Sequence, residues 1–446
     1  MPANNKVEKQ GLALRSHLGR TALADPPKRK FDPLDVLRQA SKKHIAQLLP
    51  IKFKLMSTAP FVFFRGSVEI MAADLGHAKH TRIEVQMCGD AHVKNFGFFA
   101  TPGSDIVLDI NDFDETQRGP WEWDVKRMAT SIVLAGRAAG DSDACCKDAT
   151  RVFVREYCEW MRRFSQMTAL EVARHRALRN VRDPATRSAL KKSERSSPLA
   201  SLARLARKTR GGYSFIYKRD TIWDVKGPES RAVERALSSY RETLAPDRQL
   251  LFDRYKPVDV GFKVVGTGSV GTRDYVVLLL GRTGSENDPL FLQIKEALPS
   301  AYAGFYKDRS APRHQGERVV QGQRALQVYS DPLLGWCSIA GRDYLVRQLN
   351  DHKSSVEPRD LKGNRLIEYS SVCAELLAKG HARSGSPAIL AAYMGQPGKA
   401  EKALTQFALA YAGQVEADYQ IFLKALKRGF LHDAMKVADR TRLFRD

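Results

Sequence analysis

The chain has 446 residues, of which 43% are hydrophobic, so it is long enough for two or three folded domains. Its six scattered cysteines contain no Cys-x-x-Cys pair, which excludes a disulfide framework, and no apolar run approaches the roughly 18 residues of a membrane span. The net charge of +22 favours anionic partners: nucleotides, phosphorylated metabolites, nucleic acid or an acidic membrane surface.

The N-terminal part is predicted to be a leader followed by helices. Residues 1–34 are expected to be flexible, because the run Asp-Pro-Pro-Lys-Arg-Lys that closes them disfavours regular structure. The first residues lack the apolar core of a signal peptide, which predicts a cytoplasmic protein. Helices are predicted over residues 35–49, which are amphipathic, and over residues 68–75. Arg65 could reach a phosphate, but an exposed surface arginine is the simpler interpretation.

Two acidic stretches follow. Residues 82–87 predict a strand that ends near Asp90, and residues 105–110 predict a second strand with Asp112 just past its end. Pairing of these strands would bring Asp90, Asn95 and Asp112 to one rim. Oxygen ligands clustered in this way are typical of a Mg²⁺ site that water and phosphate complete, whereas turn-forming Asp and Asn are the structural alternative.

Residues 174–219 carry much of the positive charge, with fourteen Lys or Arg against two acids. A nucleic-acid-binding arm would use such a segment. However, only three aromatic side chains, near its end, could stack on bases. We therefore favour a solvated helical insertion.

A glycine-rich segment lies between two predicted strands, residues 258–265 and 275–280. Strand, glycines and strand form the hairpin that kinases fold over ATP phosphates, whereas a dinucleotide fold needs a helix after the glycines. Glycine is required there because a Cβ would block close approach of the backbone to phosphate. A hairpin without a ligand is the alternative. The candidate phosphate-binding residues are Gly266, Gly268, Ser269 and Gly271.

The next predicted strand, residues 289–297, is apolar around Lys295. A lysine in a buried strand costs desolvation free energy unless it meets an anion. The α- and β-phosphates of a nucleotide and a glutamate on the following helix would supply one. Glu317, in the helix predicted over residues 315–324, is the candidate partner, and an ordinary exposed glutamate is its alternative.

The acidic stretches resemble the aminoglycoside and choline phosphotransferase branch of the protein-kinase-like superfamily. The matching residues are Gly89, Asp90, His92, Asn95 and the run 112–114. The resemblance implies ATP and Mg²⁺ as cofactors, with Asp90 and His92 as catalytic residues. It implies that Asn95, Asp112 and Asp114 lie at the metal. It also implies that the later Asp124 steadies the catalytic loop.

Some features depart from that family's pattern. Cys88 stands where the phosphotransferases usually have histidine, and Asp109 is an extra acid that could compete for metal. The spacing of 24 positions from Gly271 to Lys295 (295 − 271) is long for that pattern and requires an additional loop between them. A protein that binds nucleotide without catalysing transfer therefore stays open.

The order of the parts is rotated relative to a kinase, because the catalytic loop lies near residue 100 and the glycine loop near residue 270. The predicted fold is therefore α+β, kinase-like with two lobes and circularly permuted, and the helix that ends near His381 would dock where the catalytic loop begins. Two unrelated domains are the alternative. The predicted parts are a flexible leader (1–34), the first part of the helical lobe with the catalytic loop and the basic insertion (35–250), a β-rich nucleotide-binding lobe (251–350) and the remaining helices of the helical lobe (351–446).

Stretches over nearly the full length are also similar to a bacterial family known as domain of unknown function 2252, a similarity that implies no activity. The predicted function is ATP- and Mg²⁺-dependent phosphoryl transfer, or alternatively nucleotidyl transfer, to an unknown hydroxyl acceptor. Two other classes stay open. A metal-dependent phosphohydrolase would use the acids of the two stretches together with His92, and a basic nucleic-acid-binding protein would use residues 174–219.

Overall fold

The computed structural model describes residues 2–103, 105–176, 184–210, 212–218, 221–264, 270–281, 288–349 and 353–439. In these ranges the protein has a mixed α+β structure, as predicted. Three candidate phosphate-binding positions, Gly266, Gly268 and Ser269, lie outside the described residues. Within the described ranges, every helix is too short or too polar to cross a membrane.

The helices, numbered in chain order, are α1 Pro2–His17, α2 Pro33–Ser41, α3 Leu49–Met56, α4 Pro60–Gly66, α5 Val68–Gly76, α6 Trp121–Ala138, α7 Asp143–Phe164, α8 Ala169–Arg174, α9 Pro184–Glu194, α10 Pro198–Leu205, α11 Gly227–Glu242, α12 Pro246–Phe252, α13 Gln315–Leu326, α14 Asn364–Ser384, α15 Pro387–Met394, α16 Pro397–Lys427 and α17 Phe430–Val437. The strands are β1 Glu84–Met87, β2 Phe96–Ala100, β3 Ile106–Ile110, β4 Gln117–Pro120, β5 Ala206–Thr209, β6 Gly212–Phe215, β7 Ile222–Asp224, β8 Tyr255–Lys263, β9 Asp274–Gly281, β10 Pro289–Glu296, β11 Gly335–Ile339, β12 Arg342–Gln348 and β13 Ser354–Ser355.

The largest sheet is antiparallel, with strand order β11-β12-β10-β9-β8-β7. The predicted strands β8, β9 and β10 and the helix α13 are therefore confirmed. Side chains alternate along a strand. Leu292 and Ile294 of β10 belong to the apolar cluster beneath α11. Lys295 and Gln293 point to the opposite face, with Lys295 opposite Asp274 of β9.

The basic segment is anchored to this sheet. Its described residues form α9, α10 and the β5–β6 hairpin, so the prediction of a helical insertion is partly confirmed. Phe215 and Leu202 belong to the same apolar cluster as Phe291 of β10, and the Phe215 and Phe291 ring centroids lie 6.2 Å apart. Arg207 and Arg210 of the hairpin are exposed. The segment thus covers part of the Lys295 face with apolar side chains and presents its charge to solvent.

The acidic stretches lie in two smaller sheets. The predicted direct pairing of residues 82–87 with residues 105–110 is wrong, because β1 pairs with β4 and β3 pairs with β2. The reason is the unpredicted strand β2, an apolar run that forms a hairpin with β3 and also pairs with β13.

Helix α6 is the central helix of the helical part. Its residues 121–136 are all buried, which is expected of a helix packed on all sides, and α4, α7, α14 and α16 contact it. Trp121 stacks on Tyr157 of α7, with ring centroids 5.7 Å apart. Four charged side chains of α6 therefore lie in the core, where each needs a partner: Glu122, Asp124, Lys126 and Arg127.

The leader differs from the expectation of a flexible segment. Helix α1 packs against α15, and Arg15 donates from Nε to the Tyr393 carbonyl at 2.8 Å. Further along, Arg29 donates to both oxygens of Asp74 on α5 and lies 2.7 Å from a carboxylate oxygen of Asp418 on α16. Both carboxylates are 2% exposed. The leader is thus fixed by buried ion pairs that span distant parts of the chain.

We expect Arg29→Met to lower the free energy of unfolding by about 3–5 kcal/mol, because it leaves two buried carboxylates without their cation. Urea denaturation measures this change. The control is Lys30→Met, which alters an exposed side chain and is expected to change stability by no more than about 0.5 kcal/mol. A loss in Arg29→Met as small as that of the control would show that these ion pairs do not hold the leader.

Candidate active site

The turn before Asp90 is fixed from below by Asp124. Its carboxylate accepts the backbone N–H groups of Cys88 at 2.7 Å and of Gly89 at 2.9 Å. Gly89 has a φ of +84°, and a Cβ there would lie 2.2 Å from the carbonyl oxygen of Glu115. Only glycine fits this conformation and this contact. The expectation that Asp124 steadies the loop is confirmed.

Asp90 is held by Arg127, which sequence reasoning missed. Arg127 is fully buried, its Nε lies 2.5 Å from Oδ1 of Asp90, and its Nη2 donates to the Phe64 carbonyl at 3.1 Å. Burial raises the pKa of Asp90, the nearby Asp112 adds to this, and Arg127 acts in the opposite direction. The signal in the sequence was the charged pair Lys126-Arg127, which follows Glu122 and Asp124 in a helix that also contains two tryptophans.

His92 lies beside Asp90 and is 2% exposed. Its Nδ1 accepts the Lys94 backbone N–H at 3.2 Å, and its Nε2 lies 3.3 Å from Nε of Arg65 and 3.6 Å from Oδ2 of Asp90. Burial, together with Arg65 and Arg127, lowers the pKa of His92 well below its usual value. The ring is therefore neutral and is suited to positioning Arg65 beside Asp90 rather than to transferring protons.

Asn95 is placed on the same loop. Its Nδ2 donates to the Asp90 backbone carbonyl at 2.7 Å, and the side chain is 5% exposed. This orientation leaves Oδ1 of Asn95 as the side-chain acceptor. The loop thus brings Asp90, His92 and Asn95 together, as predicted.

Lys295 meets the second acidic stretch. Its ammonium forms an ion pair with Asp114, 181 positions away in the chain. Burial acts to lower the pKa of Lys295, but Asp114 and Asp112 raise it above its usual value, so the lysine stays charged. Burial raises the pKa of Asp114, and the Asp112 carboxylate raises it further. For Asp112, Lys295 and Arg347 outweigh burial and lower the pKa, so it stays ionised.

Glu317 lies on α13, as predicted, but the structure does not pair it with Lys295. Its Oε1 accepts from Nε2 of Gln321 at 2.9 Å. Within the described ranges, the carboxylate within ion-pair distance of Lys295 belongs to Asp114. Asp114 therefore takes the position of counter-ion that we had predicted for Glu317.

Arg318, the next residue on α13, points toward the site instead. It is buried, and its guanidinium donates to the carbonyls of Thr116, of Asp114 at 2.9 Å and of Leu298 at 2.7 Å. Helix α13 thus fixes the segment after Asp112 through an arginine. Sequence reasoning missed it because the acceptors are backbone carbonyls from distant segments, which leave no pattern in the sequence.

Gly271 marks the end of the predicted glycine loop. Its φ is +117°, and a Cβ there would lie 2.7 Å from Cδ2 of His44. Its carbonyl accepts the backbone N–H of Ile45 at 2.7 Å. The segment after α2 therefore covers this end of the loop.

Asp90, Asp112 and Asp114 line one cleft between the large sheet and the helical part. Its carboxylates belong to Asp90, Asp112, Asp114, Glu69, Glu115 and Glu296, and its basic side chains to Lys43, His44, Lys52 and Arg65. Asp90 and Asp114 already have the cation partners described above. Glu296 also has two, because it pairs with Arg273 at 3.4 Å and with Arg342 at 3.0 Å.

The oxygen donors fit a hard divalent cation. Oδ1 of Asp112 is buried and has no hydrogen-bond partner among the described residues, which is costly unless a cation or water meets it. With Asn95 it offers the ligands that Mg²⁺ takes when phosphates and water complete its shell. In the part of the chain that the structure describes, no group of three or more His, Cys, Asp or Glu side chains could hold a metal by itself. Asp109, the extra acid, forms a buried ion pair with Lys379.

Comparison with protein-family models gave one finding. A model described as an uncharacterized protein conserved in bacteria (DUF2252) matches residues 44–425. The chain belongs to this family. The match covers both acidic stretches, Gly271 and Lys295, so the carboxylates of the cleft lie within the DUF2252 region. Neither the curated proteins nor the solved structures gave a match.

We expect Asp114→Asn to lower the free energy of unfolding by about 1–3 kcal/mol, because Lys295 stays buried without its counter-ion. Glu317→Gln is the matched control and is expected to cost no more than about 0.5 kcal/mol, because the Glu317 carboxylate bonds only Gln321 among the described side chains. Urea denaturation of both variants measures the difference. A larger loss in Glu317→Gln would restore Glu317 as the partner of Lys295.

Proposed function

We propose that this DUF2252 protein is an ATP- and Mg²⁺-dependent phosphotransferase with a circularly permuted, kinase-like fold, acting on a hydroxyl acceptor. The observation that carries the proposal is the ion pair between Lys295 and Asp114. It joins the lysine strand of the large sheet to the acidic loop after β3, although 181 positions separate the two residues. Nucleotide phosphates bound between these segments would meet the lysine and the acids in one cleft.

Each residue has a defined task in this proposal. Asp90, held by Arg127, orients the acceptor hydroxyl and accepts its proton. Asp112 and Asn95 hold Mg²⁺, which neutralises charge on the phosphates when it is bound. Lys295 binds phosphate oxygens, and Asp114 keeps its ammonium charged and in place. Catalysis of this kind depends mainly on positioning and electrostatics, for which the buried arginine supports are suited.

The order of elements around Lys295 supports the kinase-like interpretation. The glycine hairpin joins β8 to β9, the lysine lies on β10, and helix α13 follows. These are the parts that a kinase arranges around the nucleotide phosphates. In the other part of the chain, the β2–β3 hairpin connects Asn95 to Asp112. That hairpin brings the two proposed metal ligands back toward each other.

Contacts at the end of α14 support the permutation. Ser384 accepts the Gln86 backbone N–H at 3.0 Å, directly before the loop that carries Asp90. Nε2 of His381 lies 3.1 Å from Oδ2 of Asp124, the carboxylate that holds the same loop. In the unpermuted order of a kinase-like chain, α14 would directly precede the catalytic loop. A permuted chain, cut after α14 and joined elsewhere, would keep the contact between the two.

The phosphohydrolase alternative has less support. It needs His92 to act directly on the phosphate, but this side chain is only 2% exposed. Its ring is buried and neutral. Nucleic-acid binding through the exposed arginines of the β5–β6 hairpin stays a prediction, which the salt dependence of binding would test.

Thermal unfolding with and without Mg²⁺-ATP tests the proposal. Ligand at 100 times its Kd is expected to add about 2.7 kcal/mol of stability to the wild type. Lys295→Met and Asp112→Asn are each expected to lose most of that gain, because both remove contacts with the phosphates or the metal. Lys424→Met, on the exposed side of α16, is the control and is expected to keep it.

The outcomes separate the candidates. A gain with Mg²⁺ alone, lost in Asp112→Asn but kept in Lys295→Met, would favour the phosphohydrolase. A gain with Mg²⁺-ATP that neither variant reduces would place the nucleotide outside this cleft.

A further inference from the structure

The N-terminal helices bring cations to the cleft that the proposed transfer does not use. Lys52 on α3 lines the cleft and is 4% exposed. Its ammonium lies 3.2 Å from Nε2 of His44, and within the described ranges no carboxylate lies within ion-pair distance of it. Burial lowers the pKa of His44 well below its usual value, so this partner is neutral. Burial lowers the pKa of Lys52, with Glu69 and Glu115 acting in the opposite direction, so a bound anion would stabilise its charged form.

Two further cations line the same cleft, Lys43 and Arg65. Arg65 contacts the neutral His92, with 3.3 Å from its Nε to Nε2 of the ring, and the described residues offer it no ion pair. Burial lowers the pKa of Arg65, and among the neighbouring charged groups Asp90 opposes this lowering most. Arg65 therefore lies beside the proposed proton acceptor. The three cations therefore line the same cleft as Asp90 and His44, the residue that covers the end of the glycine loop.

We propose that Lys52, Lys43 and Arg65 form an anion subsite that binds a phosphate group already present on the acceptor. The substrate class is then a phosphorylated alcohol rather than a neutral sugar. This inference rests on the proposed function. In the reaction, the acceptor hydroxyl oxygen bonds to the γ-phosphorus of ATP, the bond from that phosphorus to the β-bridging oxygen breaks, ADP leaves and Asp90 takes the hydroxyl proton.

Two carboxylates compete with this assignment. Glu69 and Glu115 also line the cleft and act on the charge of Lys52. Glu115 already accepts the backbone N–H of Ala301 at 2.5 Å. If Lys52 had only a structural role, Glu69 would therefore have to be its ion-pair partner.

Isothermal titration with inorganic phosphate tests the subsite. Lys52→Met is expected to weaken phosphate binding at least tenfold, because a hydrogen bond to a charged group is lost from a buried position. The matched control is Lys54→Met, an exposed lysine on the same helix, which is expected to leave binding unchanged. Phosphate binding that Lys52→Met leaves unchanged would overturn the proposal.

A second titration distinguishes the two sources of phosphate. With saturating Mg²⁺ and a non-hydrolysable ATP analogue, phosphate is expected to bind still, because the γ-position is then occupied and the subsite is separate. The contrary result has two parts: phosphate no longer binds under these conditions, and Lys52→Met weakens the binding of Mg²⁺-ATP but not of Mg²⁺-ADP. That result would assign Lys52 to the γ-phosphate of the nucleotide and contradict the acceptor subsite.

Glu69→Gln keeps the test independent of folding defects at Lys52. Removal of this negative charge is expected to tighten phosphate binding severalfold. A loss of stability in Glu69→Gln with unchanged phosphate binding would instead show a structural Lys52–Glu69 pair.

Mg²⁺-ATP binding without Lys52-dependent phosphate binding contradicts only the subsite. Lys52-dependent phosphate binding without any nucleotide binding contradicts the proposed function.

Discussion

The ion pair between Lys295 and Asp114 is the contact on which the proposed site depends. Lys295 is buried in the middle of a sheet, where an unpaired ammonium would be strongly unfavourable. Its carboxylate partner comes from the other part of the chain, so the cost of burying the lysine is offset only when the sheet and the helical part are docked. One electrostatic requirement thus couples the position of the sheet to the acidic loop.

Buried charged side chains hold both acidic segments of the site, the loop that carries Asp90 and the segment that carries Asp114. Asp124 accepts two backbone N–H groups below Asp90, Arg127 holds the Asp90 carboxylate, and Arg318 binds carbonyls of the segment that includes Asp114. Each of these groups is itself fully or almost fully buried, so the contacts are shielded from water. Groups held in this way keep their geometry while charge develops on a substrate, which is the main requirement for phosphoryl transfer.

Local patterns in the sequence were sufficient for part of the structure. The strands around Gly271 and Lys295 and helix α13 followed from β-branching and periodicity, and the loop from Asp90 to Asn95 followed from a short motif. The register of the acidic strands did not, because pairing depends on β2, whose apolar run carries no distinct alternation. Arg29 bonds Asp418, 389 positions away, and Arg318 bonds the Asp114 carbonyl, 204 positions away, and such contacts leave no local signal. The choice of Glu317 followed a kinase pattern, whereas the geometry places Asp114 there.

The measurement that tests the central claim most directly is a crystal structure with Mg²⁺ and a non-hydrolysable ATP analogue. The account predicts the phosphates between Gly271 and Lys295, with the metal on Oδ1 of Asp112 and the oxygen of the Asn95 amide. The γ-phosphate would face Asp90. A nucleotide bound elsewhere, or a metal held in the cleft by protein side chains without the phosphates, would contradict a single site built from the two distant parts of the chain.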